Sequence, residues 1–223
     1  MSRFFLSVAG SVVAITALSV GALAAPSTQP EPAAGAEAAY TRAIESRTAD
    51  ILALLDLKDE AKSAKVHDAI IAQYRALRDW HDANDAKLKK ASADEQKTIK
   101  ASLKSVHDGF IAKLSQELTA DQVDKVKDKM TYNIVQVTYG AYCDMLPNLT
   151  ESQKGKIMEL LVEARELAMD EGSSKEKHDV FGKYKGKINV YLSKEGYDLK
   201  KANADWAARR KAATASTSTR MSQ

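Results

Sequence analysis

Histidines in this sequence stand beside an aspartate or one helical turn away from one. His67 and His107 are each followed directly by an aspartate, and His81 lies four residues before Asp85. On a helix, a spacing of four places both side chains on one face, where they could share a metal ion. A zinc site needs three or four ligands, and the sequence has neither a second pair at this spacing nor an H-E-x-x-H motif. We therefore expect a solvated helix face, and we assign no metal ligand and no cofactor.

Nucleophilic catalysis has little support in the sequence. The single cysteine, Cys143, lies among apolar and aromatic residues at 139–146, which raise the pKa of a thiol and leave it inert. There is no G-x-S-x-G motif for a serine nucleophile, and the scattered acidic residues do not encode the paired carboxylates of a glycosidase. We assign no catalytic residue and expect a protein that is not an enzyme.

Aromatic and amide side chains form a more suggestive set. Three tyrosines fall within eleven positions at 132–142, close to Asn133 and Gln136, and Trp80 precedes His81. Tyrosine and tryptophan combine a flat apolar face with a polar group, which suits stacking on a sugar ring. For each ring the alternative is packing in a helical core that contains few phenylalanines. The predicted ligand-binding residues are Trp80, Tyr132, Asn133, Tyr139 and Tyr142.

Helix starts are marked by four capping boxes, in which a Ser or Thr is followed three residues later by a Glu or Gln. The pairs are Ser92 and Glu95, Thr119 and Gln122, Thr150 and Gln153, and Ser173 and Glu176. Apolar residues at three- and four-residue steps follow each box, and residues 59–90 carry a long stripe of the same kind. The pattern predicts an all-α protein, an antiparallel bundle of six to eight helices.

One segment of this bundle does not have a plain helical pattern. Residues 132–138 are rich in Tyr and Val, and their conformation is open between strand, loop and helix. A short helix over 139–145, before Pro147, is equally compatible with the sequence. We therefore expect the bundle to contain one irregular Tyr/Val-rich insert.

The N-terminus has the features of a secretory signal peptide. Arg3 precedes an uncharged run at 4–23, and Ala22-Leu23-Ala24 is an A-x-A cleavage signal. The alternative is a membrane anchor, because the run approaches the length of a span. We expect a cleaved signal peptide at 1–25, no stable membrane anchor after cleavage, and a periplasmic or secreted protein.

The rest of the chain divides by composition. Residues 26–36 are rich in Pro, Ala and Gly, and this composition predicts a disordered linker. We expect a single helical domain over 37–213 and a disordered polar tail over 214–223. Basic residues number 33 and acidic residues 30, and one basic residue leaves with the signal peptide. This near-neutral balance argues against a nucleic-acid partner.

Two long runs resemble the domain-of-unknown-function family 3826. They are KMTYNIVQVTYGAYCDMLPNLTESQKGKI at 129–157 and KYKGKINVYLSKEGYDLKKANADW at 183–206, and residues 65–82 are similar to that family's N-terminal helix. The resemblance implies an exported α-helical protein that binds carbohydrate and is associated with polysaccharide utilisation. The expected partner is then a polysaccharide or an oligosaccharide.

A second resemblance rests on two of the capping boxes. Thr119 with Gln122, and Thr150 with Gln153, each follow a leucine, and this pattern resembles the LTxxQ repeat of Spy-type periplasmic chaperones. It implies, as an alternative function, a chaperone or interaction module whose partners are unfolded or envelope proteins. Helix capping by itself also explains the pattern.

Overall fold

The structure is a computed structural model that describes residues 32–220 of the 223-residue chain, with side chains from 35 to 213. Eight α-helices account for most of this described part. They are α1 (Pro32–Leu55), α2 (Glu60–Leu88), α3 (Ala93–Glu117), α4 (Ala120–Met130), α5 (Ile134–Met145), α6 (Glu151–Ala168), α7 (Ser174–Lys194) and α8 (Leu199–Arg220). No strand occurs between residues 32 and 220. The predicted all-α bundle is therefore confirmed. The expected signal peptide lies outside the described residues.

Side-chain caps set the helix starts as the sequence predicts. Complete capping boxes begin α3, α4 and α6, with both the side-chain and the return hydrogen bond formed. At the start of α7, Ser173 accepts the Glu176 N–H at 3.2 Å, while its hydroxyl donates to the Glu176 carboxylate at 2.7 Å. Leu118, in an extended conformation, is the single residue between α3 and the Thr119 cap, so the chain turns a sharp corner there.

The Tyr/Val-rich insert is mostly helical. Helix α5 begins at Ile134, and the irregular part shrinks to a turn in which Tyr132 and Asn133 have φ values of 60° and 55°. The Asn133 N–H closes this turn by donating to the Asp128 carbonyl at 2.7 Å. Packing explains the helix, because Val135 and Tyr142 are buried in the core and this burial outweighs the strand preference of β-branched residues.

Both outer helices are longer than the composition indicates. Helix α1 begins at Pro32, so residues 32–36, expected in a disordered linker, form its first turns. Proline is tolerated in the first turn of a helix, and the alanines that follow favour helix formation. Helix α8 continues to Arg220, through residues expected in a disordered tail, and no Gly or Pro interrupts it. Between residues 32 and 220, no helix combines the length and apolar composition that crossing a membrane requires.

The buried side chains form two separate clusters. The first lies among α1 to α4, with Met169 added from the end of α6, and the second lies among α5, α6 and α7. We call α1–α4 the N-terminal half and α5–α8 the C-terminal half. Helix α8 lies against α5 and α7, and none of its described side chains is buried.

Charged side chains join the two halves. Arg165 of α6 is only 5% exposed and donates to Asp128 at 2.8 Å and to Asp124 at 2.7 Å, both on α4. Beside it, Lys127 donates to Glu166 at 3.0 Å. Buried ion pairs of this kind require well-formed geometry, because desolvation of each charge must be offset. The network therefore fixes how α4 sits on α6.

Candidate ligand-binding groove

A groove of about 650 Å³ lies between α5, α7 and α8. Helix α5 supplies one wall, α7 the second and α8 the third. The eleven lining residues are Val137, Thr138, Ala141, Tyr142, Met145, Lys185, Asn189, Leu199, Lys200, Asn203 and Trp206. They recur at steps of three and four along each helix, so each wall is one helical face.

Tyr142 ties the first wall to the second. Its ring is buried, and its hydroxyl donates to Asn189 Oδ1 at 2.7 Å. Burial raises the pKa of Tyr142 to about 12, because the phenolate would be poorly solvated, so the group stays protonated at neutral pH. The hydroxyl therefore holds the Asn189 amide in one orientation, with its NH2 group left to donate.

Trp206 ties the third wall to the end of α5. Its indole N–H donates to Asp144 Oδ2 at 2.6 Å, and Arg209 donates to the Asp144 carbonyl at 2.8 Å. The Arg210 guanidinium lies 5.0 Å from the centroid of the indole ring. Anchored in this way, the half-buried indole lines the groove as a flat apolar surface.

Polar groups in the groove are cations, amides and two hydroxyls, those of Thr138 and Tyr142. Lys185 and Lys200 bring two ammonium groups, and Asn189 and Asn203 bring two amides, beside apolar contacts from residues such as Met145. None of the eleven lining residues of this described surface is a histidine, a cysteine or a carboxylate. An aromatic face with fixed hydrogen-bonding groups around it suits a ligand that carries many oxygen atoms.

Of the five predicted ligand-binding residues, only Tyr142 lines the groove. Tyr139, three residues earlier on α5, is half-buried against the C-terminal core. Burial, followed by a contact with the Cys143 thiol, raises the pKa of Tyr139. The free cysteine is itself half-buried there, as its apolar surroundings predict.

Tyr132 and Asn133 lie elsewhere, in a smaller pocket of about 320 Å³ that they share with Tyr74 and Arg47. The Tyr132 ring lies 5.5 Å from the ring of His178. The left-handed backbone of Tyr132 and Asn133 is costly for residues other than glycine, and the hydrogen bond from the Asn133 N–H to the Asp128 carbonyl closes the turn that contains it.

Trp80 lies in a third place, a cleft of about 620 Å³ between the two halves. It is buried, and its indole N–H donates to Ser102 Oγ at 2.8 Å. The geometry at Trp80 is that of core packing. The predicted residues are therefore distributed over separate parts of the molecule and do not form one site.

The same cleft contains His81 and His107, two of the histidines that have an aspartate neighbour in the sequence. His81 contacts Asp85 at 2.9 Å through Nδ1 and donates from Nε2 to the Asp170 carbonyl at 2.8 Å, while His107 Nδ1 contacts the Asp170 carboxylate at 2.9 Å. Their side chains are only 11% and 16% exposed, so the expected solvated face is wrong for both. Among the described residues, no group of three or more His, Cys, Asp or Glu side chains has a metal-binding arrangement.

Electrostatics favour the cationic form of these two histidines, which link the halves. Burial opposes the charge of His81, but the Asp170 carbonyl and Asp85 outweigh it and raise the pKa of His81 above its ordinary value. The hydrogen bond that His107 donates to the Asp170 carboxylate raises the pKa of His107. The Asp170 turn approaches closely because residue 172 is glycine, where a Cβ would lie 3.0 Å from His81 Cγ.

The two LTxxQ-like caps differ in their surroundings. Thr119 and Gln122 form only their own capping box, on an exposed surface. Gln153, in the box begun by Thr150, is buried, accepts the Tyr197 hydroxyl at 2.8 Å and donates to Glu195 at 3.0 Å. The second cap therefore also holds the connection between α7 and α8.

Sequence reasoning missed Asn189, Asn203 and Trp206, together with the two lysines. A signal was present, since Leu199, Asn203 and Trp206 are spaced by four and three, which places them on one face of α8. What could not be read from spacing is that this face meets α5 and α7.

The fold and the groove define a class of protein, an α-helical bundle with an open, polar-lined groove in its C-terminal half. The chain belongs to the family described as Protein of unknown function (DUF3826), which matches over residues 41–212. A comparison with curated proteins finds no match to the chain.

Proposed function

We propose that this protein binds carbohydrate in the groove between α5, α7 and α8. One observation carries the proposal: all eleven residues that line the groove fall within the two runs, 129–157 and 183–206, on which the family resemblance rests. Residues 158–182, which contain the rest of α6 and the start of α7, separate the two runs in the chain. The runs nevertheless meet around one cavity. The two runs that resemble the family thus build a ligand-sized surface.

The chemistry of the groove supports a sugar as the ligand. The indole of Trp206 offers an apolar face, and the amides of Asn189 and Asn203 offer hydrogen bonds at its border. Sugar rings have apolar C–H faces and a rim of hydroxyl groups, so both features find partners. An open groove also suits one segment of a longer chain.

The proposed role is binding without catalysis. Hydrolysis of a glycosidic bond uses a pair of carboxyl groups, and elimination or ester cleavage uses a positioned base. None of the eleven residues that line the groove is a carboxylate or a histidine. The lysines and amides fit recognition better than bond cleavage.

Export completes the proposal. The signal peptide expected at 1–25 would direct the protein to the periplasm or the outside of the cell, where polysaccharide is encountered. A helical binding protein there would retain glycan fragments close to the enzymes that degrade them.

The test is a binding titration of residues 26–223 against a panel of plant, algal and bacterial glycans. We expect Trp206→Ala and Asn203→Ala to weaken the binding of any glycan that the wild type retains, because both remove groove contacts. Tyr139→Ala is the matched control, since it removes a half-buried aromatic ring of α5 that does not line the groove. Circular dichroism melting checks that each variant is folded. Unchanged affinity in both groove variants would overturn the site, and a panel without binding would overturn the function.

The chaperone-type alternative has less support. The large apolar side chains that are exposed belong to different elements and are Leu54, Tyr132, Val137, Leu167 and Val190. A client-binding face would need a contiguous apolar surface. Suppression of client aggregation at equimolar protein, in a protein that binds no glycan, would favour this alternative.

A further inference from the structure

We propose that the groove selects anionic sugars, binding a carboxylate or sulfate group on the glycan through Lys185 and Lys200. This inference rests on the proposed function and specifies its ligand class. Some charged groups of the C-terminal half have a partner among the described residues, and the two lysines in the groove do not.

Both groove lysines are without a partner in the described part of the chain. Neither ammonium group takes part in a hydrogen bond, an ion pair or a ring contact with any described side chain. Their sequence neighbours differ. Lys201 is paired with Asp205 at 2.6 Å, and Lys187 lies 3.6 Å from the centroid of the Tyr184 ring and 4.0 Å from Glu163. Lys187 and Lys201 are thus neutralised or packed, whereas the two groove lysines are available to a ligand.

Nearby carboxylates do not cancel this charge. None of the eleven lining residues is acidic. Asp144, at the end of α5, accepts the Trp206 indole N–H, and Asp205 is paired with Lys201. An anion entering the groove would meet two cations and no lining carboxylate, which is the complementarity that selects charged ligands.

The hydrogen-bonding groups of the groove also favour an anionic ligand. Because the Tyr142 hydroxyl occupies Asn189 Oδ1, the Asn189 side chain offers only its NH2 group. The two ammonium groups donate and cannot accept. Apart from the Asn203 amide and the Thr138 hydroxyl, the polar side chains thus present mainly donors, which carboxylate and sulfate oxygens satisfy better than neutral hydroxyls do.

The charged group has two sources in glycans, a uronate carboxylate or a sulfate ester, and matched probes separate them. Polygalacturonate is compared with its fully methyl-esterified form, and dextran sulfate with dextran. We expect the wild type to bind at least one charged probe about tenfold tighter than its neutral partner, a difference that corresponds to 1.4 kcal/mol. The pair that shows the preference identifies the group.

Four single substitutions locate the effect. Lys185→Gln and Lys200→Gln should each weaken binding of the preferred charged probe about fivefold, as expected for loss of one partly solvated charge pair. Lys187→Gln and Lys201→Gln remove the same charge two residues and one residue away, outside the groove, and should leave affinity unchanged.

Each outcome separates the two proposals. Equal affinity for charged and neutral probes, with loss of both in Trp206→Ala, overturns anion selection and retains carbohydrate binding. Absence of binding to every probe overturns both. If Lys187→Gln and Lys201→Gln reduce the preference for the charged probe as much as the groove variants do, the preference arises from general electrostatic attraction. That result overturns the assignment to Lys185 and Lys200.

Discussion

The groove of the C-terminal half and the cleft between the halves have nearly equal volumes, about 650 and 620 Å³, yet their charged groups are used differently. In the cleft, His81 pairs with Asp85 and with the turn at Asp170, and His107 pairs with Asp170. In the groove, two ammonium groups face the cavity with no described partner.

The difference teaches that a concentration of His and Asp is not by itself a site. A buried charge needs a partner, so charges that satisfy one another hold elements together. A charge that the fold leaves unsatisfied at a cavity wall is available to a ligand. By this criterion the paired histidines of the cleft belong to a structural junction, and the groove is the proposed binding surface.

The largest expected effect is on the junction. Arg165→Ala would leave Asp124 and Asp128 without their buried partner and should lower the free energy of unfolding by about 3–5 kcal/mol. Urea denaturation measures this loss. Lys175→Ala, which breaks an exposed pair with Asp179, is the control and should change stability by less than about 1 kcal/mol. Similar small losses in both variants would mean that the network is not a structural junction.

A smaller loss is expected at the turn that receives His81. In Gly172→Ala the new methyl group would lie 3.0 Å from His81 Cγ, so the ring must move away from the Asp170 carbonyl. We expect a loss of about 1–3 kcal/mol in urea denaturation. Gly182→Ala in α7 meets no atom within 4 Å and should instead gain up to about 1 kcal/mol, since alanine favours the helix. A Gly172→Ala protein of wild-type stability would contradict the close packing.

The pH dependence of stability should separate the two regions further. The folded pKa values of His81 and His107 are raised, so their contribution is fully present below the unfolded value of about 6.5 and is lost as pH rises through the folded values. Burial lowers the pKa of Lys177 to about 8, and its deprotonation acts in the opposite direction at higher pH.

Urea denaturation between about pH 6 and pH 8 should therefore show stability falling with pH, and His107→Gln should flatten this slope. Glycan affinity should not follow the same profile, because neither histidine lines the groove. A slope that is unchanged in His107→Gln would refute the role of the imidazolium at the junction.

The smallest expected effect is within the groove. Tyr142→Phe removes the hydrogen bond to Asn189 and should cost about 1 kcal/mol in urea denaturation. It should also weaken glycan binding severalfold, because the Asn189 amide loses its fixed orientation. Asn148→Ala, which alters an exposed loop side chain outside the groove, serves as the comparison for affinity. Full affinity in Tyr142→Phe would show that this orientation is unimportant.

Local rules account for most of the fold. The capping boxes at Ser92, Thr119 and Thr150 depend on residues three apart, and such contacts can be read directly from a sequence. Helix α5 could not be read in this way, because its β-branched residues become helical only when Val135 and Tyr142 pack in the core. Tertiary contact decided the conformation there.

The candidate site was less accessible for a related reason. Tyr142 and Trp206 are far apart in the chain, and only the docking of α8 brings them to one groove. Arg165 has the appearance of an ordinary polar position of a surface helix, and its burial depends on α4 lying over it. Long-range packing of this kind leaves no periodic signal.

Helix α8 has no buried side chain of its own among those described, and polar contacts at Trp206, Arg209 and Tyr197 fasten it and its approach to the rest of the protein. Segments with few buried apolar contacts open more readily than the core. The third wall of the groove is therefore the part whose order a ligand can increase. Part of the binding free energy would be spent on closing α8, and slower amide hydrogen exchange along this helix would report occupancy of the groove.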